Sequence, residues 1–170
     1  RHADHYAGFL RDRRTRLADA LDAAVMAEVD PDTDNLRAAW HTLVEEAEVD
    51  AVADFLGNLW LVHRRRGRFQ EALGMLHRAL ARTDATVRQR ARWHGWAGQA
   101  QYQLGRSDEG QEELRAMLDL AGRPLPGTAA GWVAAVARGA ARQARSRALG
   151  VRPARIEVPV EQSVATGADR

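Results

Sequence analysis

The chain has 170 residues, of which 45% are hydrophobic and 28% charged, the balance of a globular domain able to bury a core of its own. It contains no Cys, which removes disulfides, thiolate nucleophiles and Cys-based zinc sites. All 25 basic residues are Arg, so the P-loop lysine, the kinase strand lysine and Schiff-base chemistry are excluded from this stretch, and the net charge of +2 gives no bulk argument for nucleic acid.

Helical periodicity runs through most of the sequence. From Tyr6 to Val29, the residues Phe9, Leu10, Leu17, Leu21, Val25 and Met26 recur near every 3.6 positions, which predicts two helices, or one bent near Arg11–Arg16. Asp30-Pro31 then reads as an N-cap followed by Pro at the first helical position. The helix it starts carries Leu36, Ala39, Trp40, Leu43, Val44 and Ala47 as its apolar stripe. Val49 to Arg66 is the next, with Val52, Phe55, Leu56, Leu59, Trp60 and Val62 inward and Gly67 as its stop. Phe69 to Arg82 follows, with Ala72, Leu73, Leu76, Ala79 and Leu80 inward. Val87 to Leu104 ends at Gly105, and Asp108 to Ala121 ends at Gly122. A last helix is predicted from Thr128 to Leu149, and residues 151–170 as an extended or disordered tail, since Pro159 breaks the alternation of Arg155 to Val160.

Two of these hairpins share a pattern. Superposing Gly67 on Gly105, an offset of 38 residues, aligns Arg68 with Arg106, Glu71 with Glu109, Ala72 with Gly110, Leu76 with Leu114 and Leu80 with Leu118. The Gly permits a left-handed turn, and the small residue at 72 or 110 lets the second helix press on the first. A single such hairpin cannot bury its apolar face, so neighbours must stack on it.

On Gly67, Phe69, Ala72, Leu76 and Ala79, and on Gly98, Gly105, Leu114 and Met117, residues 53–84 and 91–124 resemble tetratricopeptide repeats. They depart from that pattern at Trp60, where the family has Gly, and at Gln101, where it has an aromatic. The resemblance implies an all-α domain over residues 1–150, a right-handed superhelical stack of antiparallel helical hairpins. Arg1 to Leu10, Asp34 to Trp40, Gly67 to Leu73 and Leu120 to Pro126 are also similar to helical regions of large bacterial signalling ATPases. These include LuxR-type and antibiotic-regulatory transcription activators and ATPases fused to nucleotide cyclases. That likeness implies a non-catalytic sensor or protein-interaction arm, with the ATPase and output domains elsewhere. The chain begins at Arg1 rather than Met, and a longer protein is expected.

In such a stack the first helix of each hairpin lines a groove. Carried onto this chain, the resemblance implies Asp54, Gly57, Leu61, Arg64 and Arg65 in one unit, and Arg92, Gly95, Gln99, Tyr102 and Gln103 in the next. A groove of that charge suits an acidic peptide or an acidic face of the protein's own ATPase or output domains.

Other constellations have plainer readings. Asp30 to Asp34 mimics a calcium loop, but Asn35 stands where Gly is needed and His41 where a bidentate Glu is needed, so helix capping is the better reading. His2 and His5 lack a third ligand, and His41, His63, His77 and His94 fall on separate predicted helices, so no metal and no cofactor is expected. Ser107 lacks the spacing and the strand of a nucleophile elbow, and no catalytic residue is assigned. The Trp residues 40, 60, 93, 96 and 132 read mainly as core, with Trp93 or Trp96 as the candidate to line a groove. Between 138 and 155 there are six Arg and no acid. Arg138, Arg142, Arg145 and Arg147 thus form a candidate basic patch, an alternative contact for nucleic acid or an anionic surface, though a solvated helix face is favoured. No apolar run approaches the ~18–20 residues that span a bilayer, no secretory signal opens the chain, and a cytoplasmic protein is expected.

Overall fold

A computed structural model of the chain describes residues 1–123, then 125–128, 130–131, 133–134, 137–138, 140–141 and 145. Residues 151–170 and most of 142–150 lie outside the described set, and with them the predicted tail. The described residues are α-helical with one 3-10 turn and no strand. The helices are α1 (His2–Asp12), α2 (Arg14–Ala18), α3 (Ala24–Val29), α4 (Thr33–Glu46), α5 (Val49–Arg66), α6 (Phe69–Leu80), α7 (Val87–Gln103) and α8 (Ser107–Leu120). They belong to a compact unit, Arg1–Leu125; Pro126–Arg170 form a second. In the second unit the described residues from Ala130 to Arg145 are helical, and the Gly131 N–H donates to Thr128 Oγ1 at 3.1 Å.

The apolar stripes explain the packing. Leu36, Ala39, Trp40, Leu43 and Val44 of α4 are buried, as are Val52, Phe55, Leu56, Leu59, Trp60 and Val62 of α5. α6 adds Ala72, Leu73, Met75, Leu76 and Ala79. These faces meet in one core, with α1 against α4 and α5, and each of α5, α6 and α7 against the helix that follows it. α8 closes against α7, yet of its residues only Gly110 is fully buried.

The sequence predicts two helices in the N-terminal region, or one bent near Arg11–Arg16; the break between α1 and α2 falls in that stretch, at Arg13, but a third helix, α3, is added. Leu21, placed by periodicity on an apolar face, is 92% exposed. The reason is tertiary. Arg65 on α5 donates to the backbone carbonyls of Arg16, Leu17, Asp19 and Asp22, the last at 2.6 Å. The last carbonyls of α2 and those of the loop after it are therefore satisfied by a side chain, and residues 19–23 stay a loop with Leu21 at its tip. The start of α4 also shifts. Asp30 and Pro31 sit in a 3-10 turn, Asp30–Asp32, and α4 begins at Thr33. The Asp30 carboxylate caps nothing and pairs instead with Arg66, whose Nε donates to Oδ1 at 2.8 Å. α6 ends at Leu80, two residues before the expected Arg82, because Arg82 donates to the Val44 carbonyl (2.8 Å) and pairs with Asp84 (2.7 Å).

The two aligned hairpins turn identically. Gly67 has φ 65° and Gly105 φ 75°. In the first turn the Arg68 N–H donates to His63 O (3.0 Å) and the Gly67 N–H to Arg64 O (3.4 Å). In the second, Arg106 N–H donates to Gln101 O (2.9 Å) and Gly105 N–H to Tyr102 O (3.0 Å). Both are Schellman closures, which require a left-handed residue at that position. Beyond the turns the hairpins diverge. Trp60 of α5 occupies the position that is Gly98 in α7, and it packs on Phe69 at 6.4 Å. Gly98 instead lets α7 and α8 come together until a Cβ on it would stand 3.2 Å from Gly110 O and 2.9 Å from Leu114.

That approach sets a stability test. Gly98→Val is expected to lower stability by about 1–3 kcal/mol through overpacking, read as a lower thermal midpoint. Gly8→Ala, where a Cβ meets nothing within 4 Å, is expected to leave the midpoint unchanged or raise it.

Candidate protein-binding cleft

The N-terminal halves of α5 and α7, together with Arg14 of α2, enclose a cleft of about 400 Å³. Three residues that sequence reasoning assigned to a groove meet there: Asp54, Gly57 and Arg92. Arg14, Asp50, Ala53, Thr86, Arg88 and Gln89 complete the lining. Local structure positions each wall. Thr86 caps α7 reciprocally: its Oγ1 accepts from the Gln89 N–H at 3.2 Å, while its own N–H donates to Gln89 Oε1 at 2.8 Å. The same Gln89 amide donates across to Asp50 Oδ1 at 2.8 Å, tying the start of α7 to the start of α5. Gly57 meets only Trp96, whose ring lies 3.6 Å from where a Cβ would be.

The charge of the cleft is unbalanced. Asp54 accepts from Arg11 Nε (3.2 Å) and Arg14 (3.3 Å), so its carboxylate is already compensated. Arg14 donates as well to Asn58 Oδ1 at 3.3 Å. Arg88 and Arg92 have no carboxylate partner among the described residues and are exposed. Arg92 stands 6.0 Å from the Trp96 ring, at the outer limit for a cation–π contact. The cleft therefore presents guanidinium groups in excess of carboxylates, with hydroxyl and amide groups at the capped end of α7.

The other predicted groove residues are placed differently. Arg65 is committed to the four carbonyls of the 16–22 segment. Leu61 is half-buried against the core, and Arg64 is exposed on the last turn of α5. Gln99 and Gln103 are exposed, and Tyr102 is partly exposed, with its ring edge 3.1 Å from a Cβ at Gly110. Gly95 lies under Met117, whose sulfur would be 2.9 Å from a Cβ there. Of the basic patch, Arg138 and Arg145 are helical and exposed, while Arg142 and Arg147 lie outside the described residues. Trp40, Trp60 and Trp93 are buried, Trp96 is half-buried at the cleft, and Trp132 lies outside the described residues.

Two arrangements escape a reading by periodicity. Glu113 of α8 accepts from His94 of α7 at 2.6 Å (Nδ1) and faces His77 Nε2 of α6 at 3.4 Å, one carboxylate holding three helices. Among the described residues no group of three or more His, Asp and Glu side chains is arranged to hold a metal ion. Asp30, Asp32 and Asp34 instead serve Arg66, Tyr6 with Asn35, and Arg37. The second arrangement is His63 of α5, 3% exposed, with neither ring nitrogen hydrogen-bonded. Burial pushes its pKa down to about 4, against the attraction of Glu71 at 4.0 Å. Comparison with protein-family models, curated proteins and solved structures finds no match to this chain.

His63 makes stability depend on pH. The unfolded chain takes up a proton near the ordinary His value, while the folded chain resists it until about 4. Stability is then full above the unfolded pKa and falls as pH drops through the window between the two. The chain is expected to be about 2 kcal/mol less stable at about pH 5 than at about pH 7, by urea denaturation. His63→Leu is expected to flatten most of that difference.

Proposed function

We propose that this chain is a non-catalytic protein-binding module, a right-handed stack of tetratricopeptide-like hairpins, whose α5–α7 cleft takes an acidic segment of a partner. The matching Schellman turns at Gly67 and Gly105, and the Ala72 and Gly110 positions after them, support the repeat reading. The order of packing, each helix from α4 onward against the next, supports it as well. The observation that carries the binding role is the cleft itself. It measures about 400 Å³, it is lined by the first helix of each hairpin, and among the described residues Arg88 and Arg92 stand in it unpaired, beside Asp50 and Asp54. Guanidinium forks in such a setting select carboxylates and are enriched where proteins recognise acidic segments. On the same reading, the partner is the ATPase or output part of a larger ATP-dependent bacterial signalling or transcription-regulatory protein.

The test uses a fluorescent peptide of alternating Glu and Gly, followed by anisotropy at low ionic strength. Arg88→Glu with Arg92→Glu changes two exposed side chains and is expected to weaken binding by at least about tenfold, the effect of removing charge-assisted contacts and adding repulsion. Added salt is expected to weaken binding to the unaltered chain. Affinity unchanged by the double substitution contradicts the assignment of the cleft.

A further inference from the structure

Two helix ends in the Arg1–Leu125 unit carry charge of the wrong sign for their dipoles. The last turn of α4 holds Glu45 and Glu46 and no basic residue, and Glu48 follows in the turn to α5. A helix C-terminus favours cations, not carboxylates. α7 opens with Arg88, Arg90 and Arg92 and has no acidic residue in its first turn, although a helix N-terminus favours anions. The acids of α8 follow the ordinary rule: Asp108 and Glu109 lie in its first turn.

The two misfit ends lie together. Arg82, in the loop before α7, donates to the Val44 carbonyl of α4 at 2.8 Å, and Gln89 of α7 donates to Asp50 of α5 at 2.8 Å. The C-terminal end of α4 and the N-terminal ends of α5 and α7 therefore share one corner of the unit. Arg90 is half-buried and donates to the Arg82 carbonyl at 2.9 Å. Glu45, Glu46, Arg88 and Arg92 are exposed, and none of them forms an ion pair among the described residues. An apolar side chain belongs to the same corner: Val87, the first residue of α7, is 59% exposed. Ala47, Val49 and Ala85 of the adjoining turns are only partly buried.

A surface that holds an unpaired acidic set, an unpaired basic set and an exposed apolar side chain is complementary to itself. A two-fold axis sets each charged set against its opposite, twice, and closes the assembly at two copies. We propose that this corner is the contact between two copies of the chain, with Glu45 and Glu46 of each copy set against Arg88 and Arg92 in the α5–α7 cleft of the other. Val87 supplies apolar contact at the same interface. The inference rests on the reading of that cleft as a receptor for acidic segments, and it names the segment. A second copy is favoured over a foreign acidic partner, because a foreign segment uses Arg88 and Arg92 and leaves the charge at the end of α4 unexplained. The contact is led by charge, so the dimer is weak, with a dissociation constant on the order of 100 micromolar at low salt.

The experiment is sedimentation velocity of the 170-residue chain over a wide concentration range at low ionic strength. The expected result is a mass that rises toward that of two chains and no further, and that falls back in added salt. Two variants isolate the contact: Glu45→Arg with Glu46→Arg, and Arg88→Glu with Arg92→Glu. Each is expected to stay monomeric at concentrations where the unaltered chain pairs. Each also places at its helix end the charge that the dipole favours, so both are expected to fold, with thermal midpoints no lower than that of the unaltered chain. Mixed one to one, the two variants are expected to regain the dimer, because every contact is again between opposite charges. Pairing of either variant alone as in the unaltered chain, a mixture that stays monomeric, or growth beyond two copies each overturns the proposal. A monomeric chain that still binds the Glu and Gly peptide through Arg88 and Arg92 overturns this inference alone. A monomeric chain whose peptide binding ignores those two residues overturns the cleft reading as well.

Discussion

Trp96 lies on Trp60 with ring centroids 5.8 Å apart and planes 14° from parallel, and the spacing of α5 and α7 depends on this contact. It joins α5 to α7 through stacked rings, which hold the two backbones farther apart than small residues would. Gly57 gives the Trp96 ring its space on α5. Asp50, Ala53 and Asp54 lie N-terminal to the stack on α5, and Thr86, Arg88, Gln89 and Arg92 lie N-terminal to it on α7. The cleft occupies that side, with Gly57 of its lining against the Trp96 ring and the Gln89–Asp50 hydrogen bond bridging the two helices. At the equivalent position of the next hairpin the rule reverses. Gly98 replaces the Trp60 position, and α7 and α8 meet almost backbone to backbone.

The distribution of guanidinium groups says more than the net charge. Most Arg side chains near the N-terminal helices build the fold. Arg16 pairs with Asp22 and Glu28, and its hydrogen bonds hold both carboxyls below the usual carboxylate range. Arg13 pairs with Glu28 and lies over the Phe9 ring at 3.9 Å. Arg65 gathers carbonyls, a task suited to a fork of fixed N–H directions and poorly suited to an ammonium. Arg78, Arg88 and Arg92 stand apart, since each lines a cleft with no carboxylate partner among the described residues. Exposed ion pairs of the first kind contribute little individually. The pairs of Arg13 and Arg16 tie α2 to the segment leading into α3, while the Arg11 and Arg14 pairs with Asp54 and the Arg65 hydrogen bonds hold α1, α2 and the 16–22 segment to α5.

Much of the helical layout was legible in the sequence, and the reasons are local. α5 shows an uninterrupted apolar stripe and ends at a Gly, and its bounds match the reading from periodicity. Gly67 and Gly105 mark turns because their backbone conformation admits few other residues. The N-terminal third was less legible because long-range contacts decide it. Nothing near Leu21 announces that Arg65, more than forty positions later, takes the carbonyls on which a helix there would depend. Asp54, Gly57 and Arg92 of the cleft followed from the repeat pattern. Arg88, one helical turn before Arg92, carried a readable signal, as did Thr86-x-x-Gln89 as a capping box. Arg14 carried none, since it reaches the cleft from a different helix. His77, His94 and Glu113 look scattered until three helices converge.

Hydrogen exchange of the chain with and without a saturating acidic peptide shows whether the N-terminal halves of α5 and α7 receive an acidic segment. Slowed exchange is expected, confined to the first turns of α5 and to the region around Thr86 and Arg92 in α7, where peptide contacts would damp local opening. Protection centred on α6 or α8, with the α5–α7 cleft exchanging as in the free chain, would contradict it.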